Sequence, residues 1–267
     1  MTTTPATLRR GYAETASGQI HFMRIDGGTG ATPLLLLHPS PLSGIVWDGF
    51  MGEMGRDRIV VAPDTPGFGE SPPPAAAPEI SDYAATMSDL LDAEYLEVVD
   101  VMGYHTGSLT AVEMALRCPE RIRKVVMISA TIFTEEERAS FRTQYAPKSL
   151  EEKGEALVQS WAFMHSFWPE EPDPARRWDI FLEAQRHHAH SHWGHNAAFN
   201  YDLEKNLKEV NHPVLILNPE DDLWDYTPRA APLLKNGRVH DLPGWTHGFL
   251  DARTSETATL VREFLDT

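Results

Sequence analysis

The chain has 267 residues, of which 42% are hydrophobic and 23% charged. This composition provides a substantial core and excludes the disordered and fibrous classes, so we interpret the chain as one globular domain carrying an insertion. The formal net charge of −16 repels phosphate backbones and anionic lipid surfaces. We therefore expect neither a nucleic acid nor a membrane as a partner.

Cysteine usage and the beginning of the chain bear on location. The chain has one cysteine, Cys118, which cannot form an intrachain disulfide and fits a reducing, cytoplasmic setting. Residues 1–5 lack the charged head and apolar stretch of a secretory signal. No apolar run approaches the ~18 residues of a membrane span. We expect a cytoplasmic protein, and the sequence leaves a homo-oligomer open.

Short β-type runs alternate with helical stretches along much of the chain. The runs are residues 19–25, 33–37, 58–62, 96–102, 124–129, 213–217 and 237–242. Strands separated by helices imply crossover connections, so we predict an α/β fold with a mostly parallel, doubly wound sheet. Residues 34–37 and 125–128 are apolar without alternation, which is typical of central strands covered on both faces.

The alternation stops between about residues 131 and 211, where helical, aromatic and charged segments follow one another. The helical segments are residues 135–141, 150–167, 178–190 and 203–207. An insertion without strands, placed after a sheet strand, is typical of a cap over the carboxyl ends of the strands. We predict a core of residues 1–131 and 212–267 and a helical cap, or lid, of residues 132–211.

A glycine-bounded turn connects one predicted strand to the next helix. Residues 103–107 read Gly-Tyr-His-Thr-Gly, between an apolar run at 98–102 and a helical segment at 108–117. Such a turn puts its central residue in a strained conformation and leaves no room for flanking side chains. We expect the central residue, His105, to project into a site.

Four further segments accompany this turn, each at the end of a predicted strand or in a strand-to-helix connection. They are Leu-His-Pro-Ser at 37–40, Asp-Thr-Pro-Gly-Phe-Gly-Glu-Ser at 64–71, Asn-Pro-Glu-Asp-Asp at 218–222 and Gly-Trp-Thr-His-Gly at 244–248. In order and spacing, these motifs resemble those of the α/β-hydrolase superfamily, in particular its capped carbon–carbon bond hydrolases, lactonases and esterases. The resemblance covers nearly the whole chain apart from the cap, and implies an α/β-hydrolase fold.

The resemblance implies roles for individual residues. The backbone N–H groups of Ser40 and Thr106 correspond to the oxyanion hole, and Pro39, in place of the family's glycine, removes only its own donor. His247 corresponds to the catalytic histidine. Asp222 corresponds to the acid that orients it, with Asp221 as the next choice.

Residue 105 departs from the family pattern, because the elbow's central residue is normally a serine nucleophile. An imidazole is larger, titrates near neutrality and serves as a base as well as a nucleophile. Three interpretations stay open. His105 forms an acyl-imidazole during hydrolysis; His105 and His247 act as acid and base in hydrolysis or in lyase, decarboxylase or cyclase chemistry; or the fold binds a ligand without catalysis.

The cap is rich in histidine and aromatic residues. If residues 185–195 form a helix, His188, His192 and His195 fall on one face at the spacing of metal ligands. We favour a polar cap helix instead, because no cysteine is near and no His-Glu-x-x-His pattern occurs. We expect no metal and no cofactor.

The predicted substrate is a small, apolar molecule that contains a carbonyl group. The residues we expect to contact it are His38, Tyr104, Trp47, Trp161 and Trp193. The prediction is therefore an enzyme that hydrolyses an ester, a lactone or an activated carbon–carbon bond, with His105, Asp222 and His247 as its catalytic residues.

Overall fold

One sheet of eight strands forms the centre of the computed structural model, which describes residues 7–28, 30–146, 154–168 and 173–267. The strands are β1 (Leu8–Thr15), β2 (Gly18–Asp26), β3 (Leu34–Leu37), β4 (Ile59–Pro63), β5 (Val99–Tyr104), β6 (Ile122–Ile128), β7 (Val214–Pro219) and β8 (Gly237–Leu242). Strands β2 to β8 correspond to the seven predicted runs. Strand β1 was not predicted, because an edge strand of mostly exposed residues carries little hydrophobic signal.

The strand order across the sheet is β1-β2-β4-β3-β5-β6-β7-β8. Pairing is antiparallel from β1 to β2 and from β2 to β4, and parallel between all later neighbours. The predicted mostly parallel, doubly wound sheet is therefore confirmed. Because parallel strands end at the same edge, the segments after β3, β5, β6 and β7 meet there, and ligands bind at such an edge in open α/β sheets.

Helices cover both faces of the sheet and fill the connection from β6 to β7. They are α1 (Asp48–Met54), α2 (Ile80–Ala93), α3 (Thr106–Arg117), α4 (Glu135–Gln144), α5 (Glu155–Phe167), α6 (Pro174–Gln185), α7 (Trp193–Asn200), α8 (Leu203–Leu207), α9 (Phe249–Ala252) and α10 (Thr254–Leu265). Buried residues of α2 and α3 pack on one face of the sheet, and those of α1 and α10 pack on the other. Helices α2 and α10 each bury one apolar stripe and expose the rest, whereas α3 is buried along most of its length.

The described part of the connection between β6 and β7 contains α4 to α8 and no strand, which confirms a helical insertion. The bounds 132–211 stay a prediction, and predicted helical residues 150–153 lie outside the described ranges. Helix α6 begins earlier than predicted and ends at Gln185, while α7 was not predicted.

The helix assumed over residues 185–195 is not formed. Residues 186–192 form turns instead, since this histidine-rich stretch has a low intrinsic helix propensity. The prediction that His188, His192 and His195 lie on one helical face is therefore wrong. Within the ranges described here, no helix is long and apolar enough to cross a membrane.

Candidate active site

The turn between β5 and α3 holds His105 in a strained conformation. Its backbone φ of 47° and ψ of −109° lie in a region that residues with a side chain rarely adopt. A Cβ on Gly103 would collide with the backbone of Gly107, and one on Gly107 would collide with the carbonyl oxygen of Leu37. The two glycines thus permit the close packing of β3, β5 and α3 that presents His105 at the sheet edge.

The imidazole of His105 is bound to a carboxylate. Its Nε2 lies 2.7 Å from Oδ2 of Asp221, which also accepts a hydrogen bond of 2.6 Å from the hydroxyl of Ser129. The other oxygen, Oδ1, accepts one from the backbone N–H of Leu223 at 2.8 Å. The Asp221 side chain is fully buried, so three donors fix its position and it fixes the ring of His105.

A second histidine–carboxylate pair lies beside the first. Nε2 of His247 lies 3.0 Å from Oδ1 of Asp222, and the same oxygen lies 3.9 Å from Nε2 of His105. Nδ1 of His247 is 3.1 Å from the hydroxyl of Tyr104. The structure thus brings the three predicted catalytic residues together, and both imidazoles direct Nε2 at the consecutive carboxylates rather than at each other.

Sequence analysis missed the partnership between Asp221 and His105. It ranked Asp221 only as an alternative acid for His247. The sequence did contain a signal for this partnership. Two consecutive aspartates follow β7 and two histidines occupy the motifs, so each histidine could have had its own carboxylate.

The charges of this cluster shift the titration of its members. Burial lowers the pKa of His105, but the Asp221 and Asp222 carboxylates more than offset burial and raise that pKa above its usual value. Burial raises the pKa of Asp222, whereas His247 and His105 together hold it well below its usual range. Burial and the two nearby carboxylates raise the pKa of Tyr104. Tyr104 therefore stays a neutral phenol at physiological pH.

The predicted oxyanion-hole residues follow β3 and β5. Ser40 and His105 border one cavity, and Thr106 is the buried first residue of α3. An amide at a helix N-terminus favours negative charge nearby. The placement of Ser40 and Thr106 is thus compatible with a pair of N–H donors next to His105.

His38 does not border the cavity. Its Nε2 accepts a hydrogen bond of 2.9 Å from the backbone N–H of Thr65, so its Nδ1–H donates to the carbonyl oxygen of Pro39 at 3.0 Å. Burial lowers the pKa of His38, which keeps the ring neutral. In place of the expected substrate contact, His38 has a structural role: it ties the segment after β3 to the loop after β4.

A cavity of about 120 Å³ lies against the cluster. Its lining is mostly apolar, with polar groups at the sheet edge; the residues are Pro39, Ser40, Leu42, Val46, Tyr104, His105, Trp168, Ile180, His247, Leu250 and Asp251. Tyr104, which the sequence predicted to contact the substrate, borders this cavity. An apolar pocket with a few convergent polar groups is the usual form of a small-molecule site.

None of the three predicted tryptophans borders this cavity. Trp47 is fully buried and packs against Phe50 in the core, so the prediction is wrong for this residue. Trp161 packs within the cap against Phe181, and Trp193 packs against His190. The three rings therefore pack against other aromatic residues in the core or in the cap, away from the lining of this cavity.

Trp168 is the tryptophan that borders the cavity, with its ring centroid 6.4 Å from that of His247. The sequence shows the aromatic richness of the cap but not which ring points inward.

The cap histidines contact the protein itself. His187 is within 2.7 Å of the carbonyl oxygen of Gly69. His195 stacks on Tyr145 with ring centroids 4.3 Å apart, and burial lowers its pKa to about 4. The contact of His187 joins the cap to the loop after β4, whereas the stack of His195 on Tyr145 lies within the cap.

One group of side chains has the composition of a cation site. His105, Asp221, Asp222 and His247 each offer a ligand atom, and these atoms all lie within 4.8 Å of one another. The group lies at the sheet edge and includes none of the cap histidines that were considered as metal ligands.

Comparison with known proteins places the chain in a family. The family model described as Alpha/beta hydrolase family matches residues 34–260. The chain belongs to the alpha/beta hydrolase family. The predicted resemblance and fold class are confirmed.

Individual proteins that resemble this chain in structure or in sequence carry different names. The enol-lactonase from Burkholderia xenovorans LB400 superposes with a TM-score of 0.79 over 96% of this chain and 100% of its own, at 18% identity. The 2-hydroxy-6-oxo-2,4-heptadienoate hydrolase of Pseudomonas putida is 33% identical over 109 residues, 39% of each protein. An uncharacterised protein of Mycobacterium tuberculosis is 29% identical over 147 residues, 55% of this chain and 42% of that protein. The chain thus matches about two fifths of the length of these last two relatives.

Proposed function

We propose that the protein hydrolyses a small, largely apolar ester, lactone or activated carbon–carbon bond substrate by direct attack of water. The observation that carries the proposal is the pairing of His105 with Asp221 and of His247 with Asp222 beside one cavity. The four side chains together activate the water. His105 acts in this group and does not form an acyl-enzyme.

The contacts of His105 support water attack over covalent catalysis. A nucleophilic residue at the elbow must aim its attacking atom at the carbonyl carbon. The Nε2 of His105 instead lies 2.7 Å from the Asp221 carboxylate, and that carboxylate is itself fixed by Ser129 and Leu223. Freeing Nε2 for attack would leave a buried carboxylate short of a donor, which is costly.

The expected substrate follows from the cavity. Leu42, Val46, Ile180 and Leu250 provide an apolar wall, and the backbone N–H groups of Ser40 and Thr106 stabilise the negative oxygen that develops when water adds to a carbonyl. The names of the relatives, an enol-lactonase and a carbon–carbon bond hydrolase, favour the same class of carbonyl substrates.

The setting that we infer is the cytoplasm, with a small molecule as the partner. The net charge of −16 disfavours phosphate-rich partners. The one cysteine, Cys118, is a buried free thiol, which is compatible with a reducing compartment.

The test is turnover of an aryl ester, a lactone and a β-diketone, combined with intact mass spectra of acid-quenched protein. The wild type should turn over at least one substrate without a mass adduct. His105→Ala and Asp222→Asn should lose roughly 10²- to 10⁴-fold in turnover. His188→Ala, which removes an exposed cap histidine, should match the wild type.

An acyl adduct that disappears in His105→Ala would overturn water attack in favour of an acyl-imidazole. Absence of turnover on the whole panel would contradict hydrolysis of this substrate class and favour a binding role.

A further inference from the structure

The geometry points to a binding site for one divalent transition-metal ion, formed by His105, Asp221, Asp222 and His247. The sequence predicted no metal, and no role of these residues in the proposed function requires one. The catalytic meaning of this inference rests on the hydrolysis proposed above, whereas the binding itself is measured without a substrate.

The inward-facing atoms have the right separations. Ligands about 2.0–2.2 Å from a tetrahedral ion lie roughly 3.4 Å from one another. Nε2 of His105 lies 2.7 Å from the Asp221 carboxylate and 3.9 Å from that of Asp222, and Nε2 of His247 lies 3.0 Å from Asp222. No pair of the four ligand atoms exceeds 4.8 Å. Small rotations of the side chains would therefore equalise the distances around a common centre.

The donor set selects a class of ion. Two imidazole nitrogens and two carboxylate oxygens suit Zn²⁺ and the neighbouring divalent transition metals, whereas Ca²⁺ and Mg²⁺ prefer oxygen ligands. The two carboxylates would balance the charge of a divalent ion. The site would differ from a cluster of surface acids because Asp221 is fully buried and both histidines are about four-fifths buried.

The surroundings already contain the supporting hydrogen bonds of a metal site. Ligating histidines normally use their other ring nitrogen for a hydrogen bond, and ligating carboxylates are hydrogen-bonded as well. Nδ1 of His247 has the Tyr104 hydroxyl at 3.1 Å, and Asp221 accepts from Ser129 and Leu223. With Nε2 on the ion, the Nδ1–H of His247 would donate to the hydroxyl oxygen of Tyr104.

A separate observation concerns the oxygen between the two histidines. Oδ1 of Asp222 is buried and receives no well-aligned hydrogen bond from the described residues, although Nε2 of His247 is close to it. A buried carboxylate oxygen without an aligned donor is unfavourable. An ion at the centre of the cluster would satisfy this atom. Because His105 and His247 also border the cavity, an ion has a route of entry and a substrate has access to it.

A metal ion at this position would account for the histidine at the elbow. A serine at position 105 would offer one weak oxygen ligand, whereas His105 completes a set of four. When bound, such an ion would supply Lewis-acid polarisation and would lower the pKa of a bound water.

The experiment is titration of chelator-treated, dialysed protein with ZnCl₂ by calorimetry, with metal content after gel filtration measured by plasma mass spectrometry. Wild type should bind one Zn²⁺ per chain at this site. Losing a ligand should cost more than the 10- to 100-fold in affinity typical of losing a supporting residue. We therefore expect His105→Ser and Asp222→Asn each to weaken binding by at least ~100-fold.

His188→Ala is the matched control, since it removes a histidine from the cap and should leave affinity and stoichiometry unchanged. Visible spectra with Co²⁺ provide a second readout in the same variants, in which His105→Ser should lose the absorption of a tetrahedral site.

Binding of equal strength in the wild type and His105→Ser, or a loss only in His188→Ala, would overturn the assignment. Absence of Zn²⁺ binding to folded wild type would overturn it as well, and would leave the turnover test of the proposed function unaffected.

Discussion

The two sides of the cavity are built differently. On the sheet side, the reactive groups are buried and anchored at several atoms, as shown by Asp221 with its contacts to His105, Ser129 and Leu223. On the cap side, the cavity is bordered by the apolar side chains of Trp168 and Ile180. The helix that carries Ile180, α6, also exposes about half of Trp178 (51%) and Leu182 (49%). From this difference we expect the sheet edge to determine the chemistry and the cap to determine which molecules reach it.

The physical reason is the cost of misplacing polar groups. In a buried network each hydrogen bond is strong and each unpaired group is expensive, so only one arrangement is stable. Apolar contacts are non-directional and tolerate repacking. The sheet side should therefore respond to substitution by losing turnover or folding, and the cap side by changes in substrate affinity.

The largest effect expected from this contrast is that of His247→Ala. Removing the ring deletes the contact with Asp222 and the contact with Tyr104. We expect kcat for a turned-over ester to fall roughly 10²- to 10⁴-fold, with the fold retained. Steady-state kinetics and a circular dichroism melt are the measurements. Turnover equal to that of the wild type would show that His247 at the sheet edge takes no part in the reaction.

The next effect is on stability and concerns the packing under the elbow. In Gly107→Ala, the new Cβ would meet backbone atoms of Leu37 and His38, which cannot move as a side chain can. Overpacking of this kind costs about 1–3 kcal/mol or more in the free energy of unfolding. At 2–4 °C per kcal/mol for a chain of this size class, the melting temperature should fall measurably in calorimetry.

Gly52→Ala is the control for that substitution. Gly52 lies within α1, and a Cβ there meets open space, so helix propensity should make the change neutral or stabilising by up to ~1 kcal/mol. Equal destabilisation by both substitutions would show that the elbow packing has no special importance.

The same contrast explains how much the sequence could predict. Strand β3 and residues 125–128 of β6 are continuous apolar runs, so the positions of these two strands follow from the sequence alone. The candidate site residues after these strands could be predicted because the turn motifs there resemble motifs that have fixed positions in the α/β-hydrolase fold. Strand β1 and helix α7 were not predicted, since exposed strand residues and a histidine-rich turn lack such a pattern.

Side-chain direction was the part that the sequence could not supply. Asp221 and Asp222 are adjacent in the chain, and only the backbone turn after β7 determines that one meets His105 and the other His247. Trp47 and Trp168 are equally aromatic, yet one packs in the core and the other borders the cavity. Such choices depend on tertiary packing, which local patterns do not encode.

The smallest effect expected tests the cap side through its polar attachment. Arg176 of α6 donates to Asp251 at 3.0 Å and to the carbonyl oxygen of Ile45 at 2.7 Å, and Asp251 borders the cavity. Arg176→Met keeps the aliphatic stem and removes these bonds. At about 1–1.5 kcal/mol for one such attachment, the KM should rise roughly 10-fold while kcat changes little.

Lys208→Met is the matched control, because its ion pair with Glu204 on α8 is half exposed and such pairs contribute only about 0.3–0.5 kcal/mol. It should leave both kinetic constants unchanged. If Arg176→Met instead lowers kcat as far as His247→Ala and leaves KM unaltered, the cap participates in the chemical step. Catalysis could then not be assigned to the sheet edge alone and substrate selection to the cap alone. One contact of the cap would control the geometry of the reacting groups.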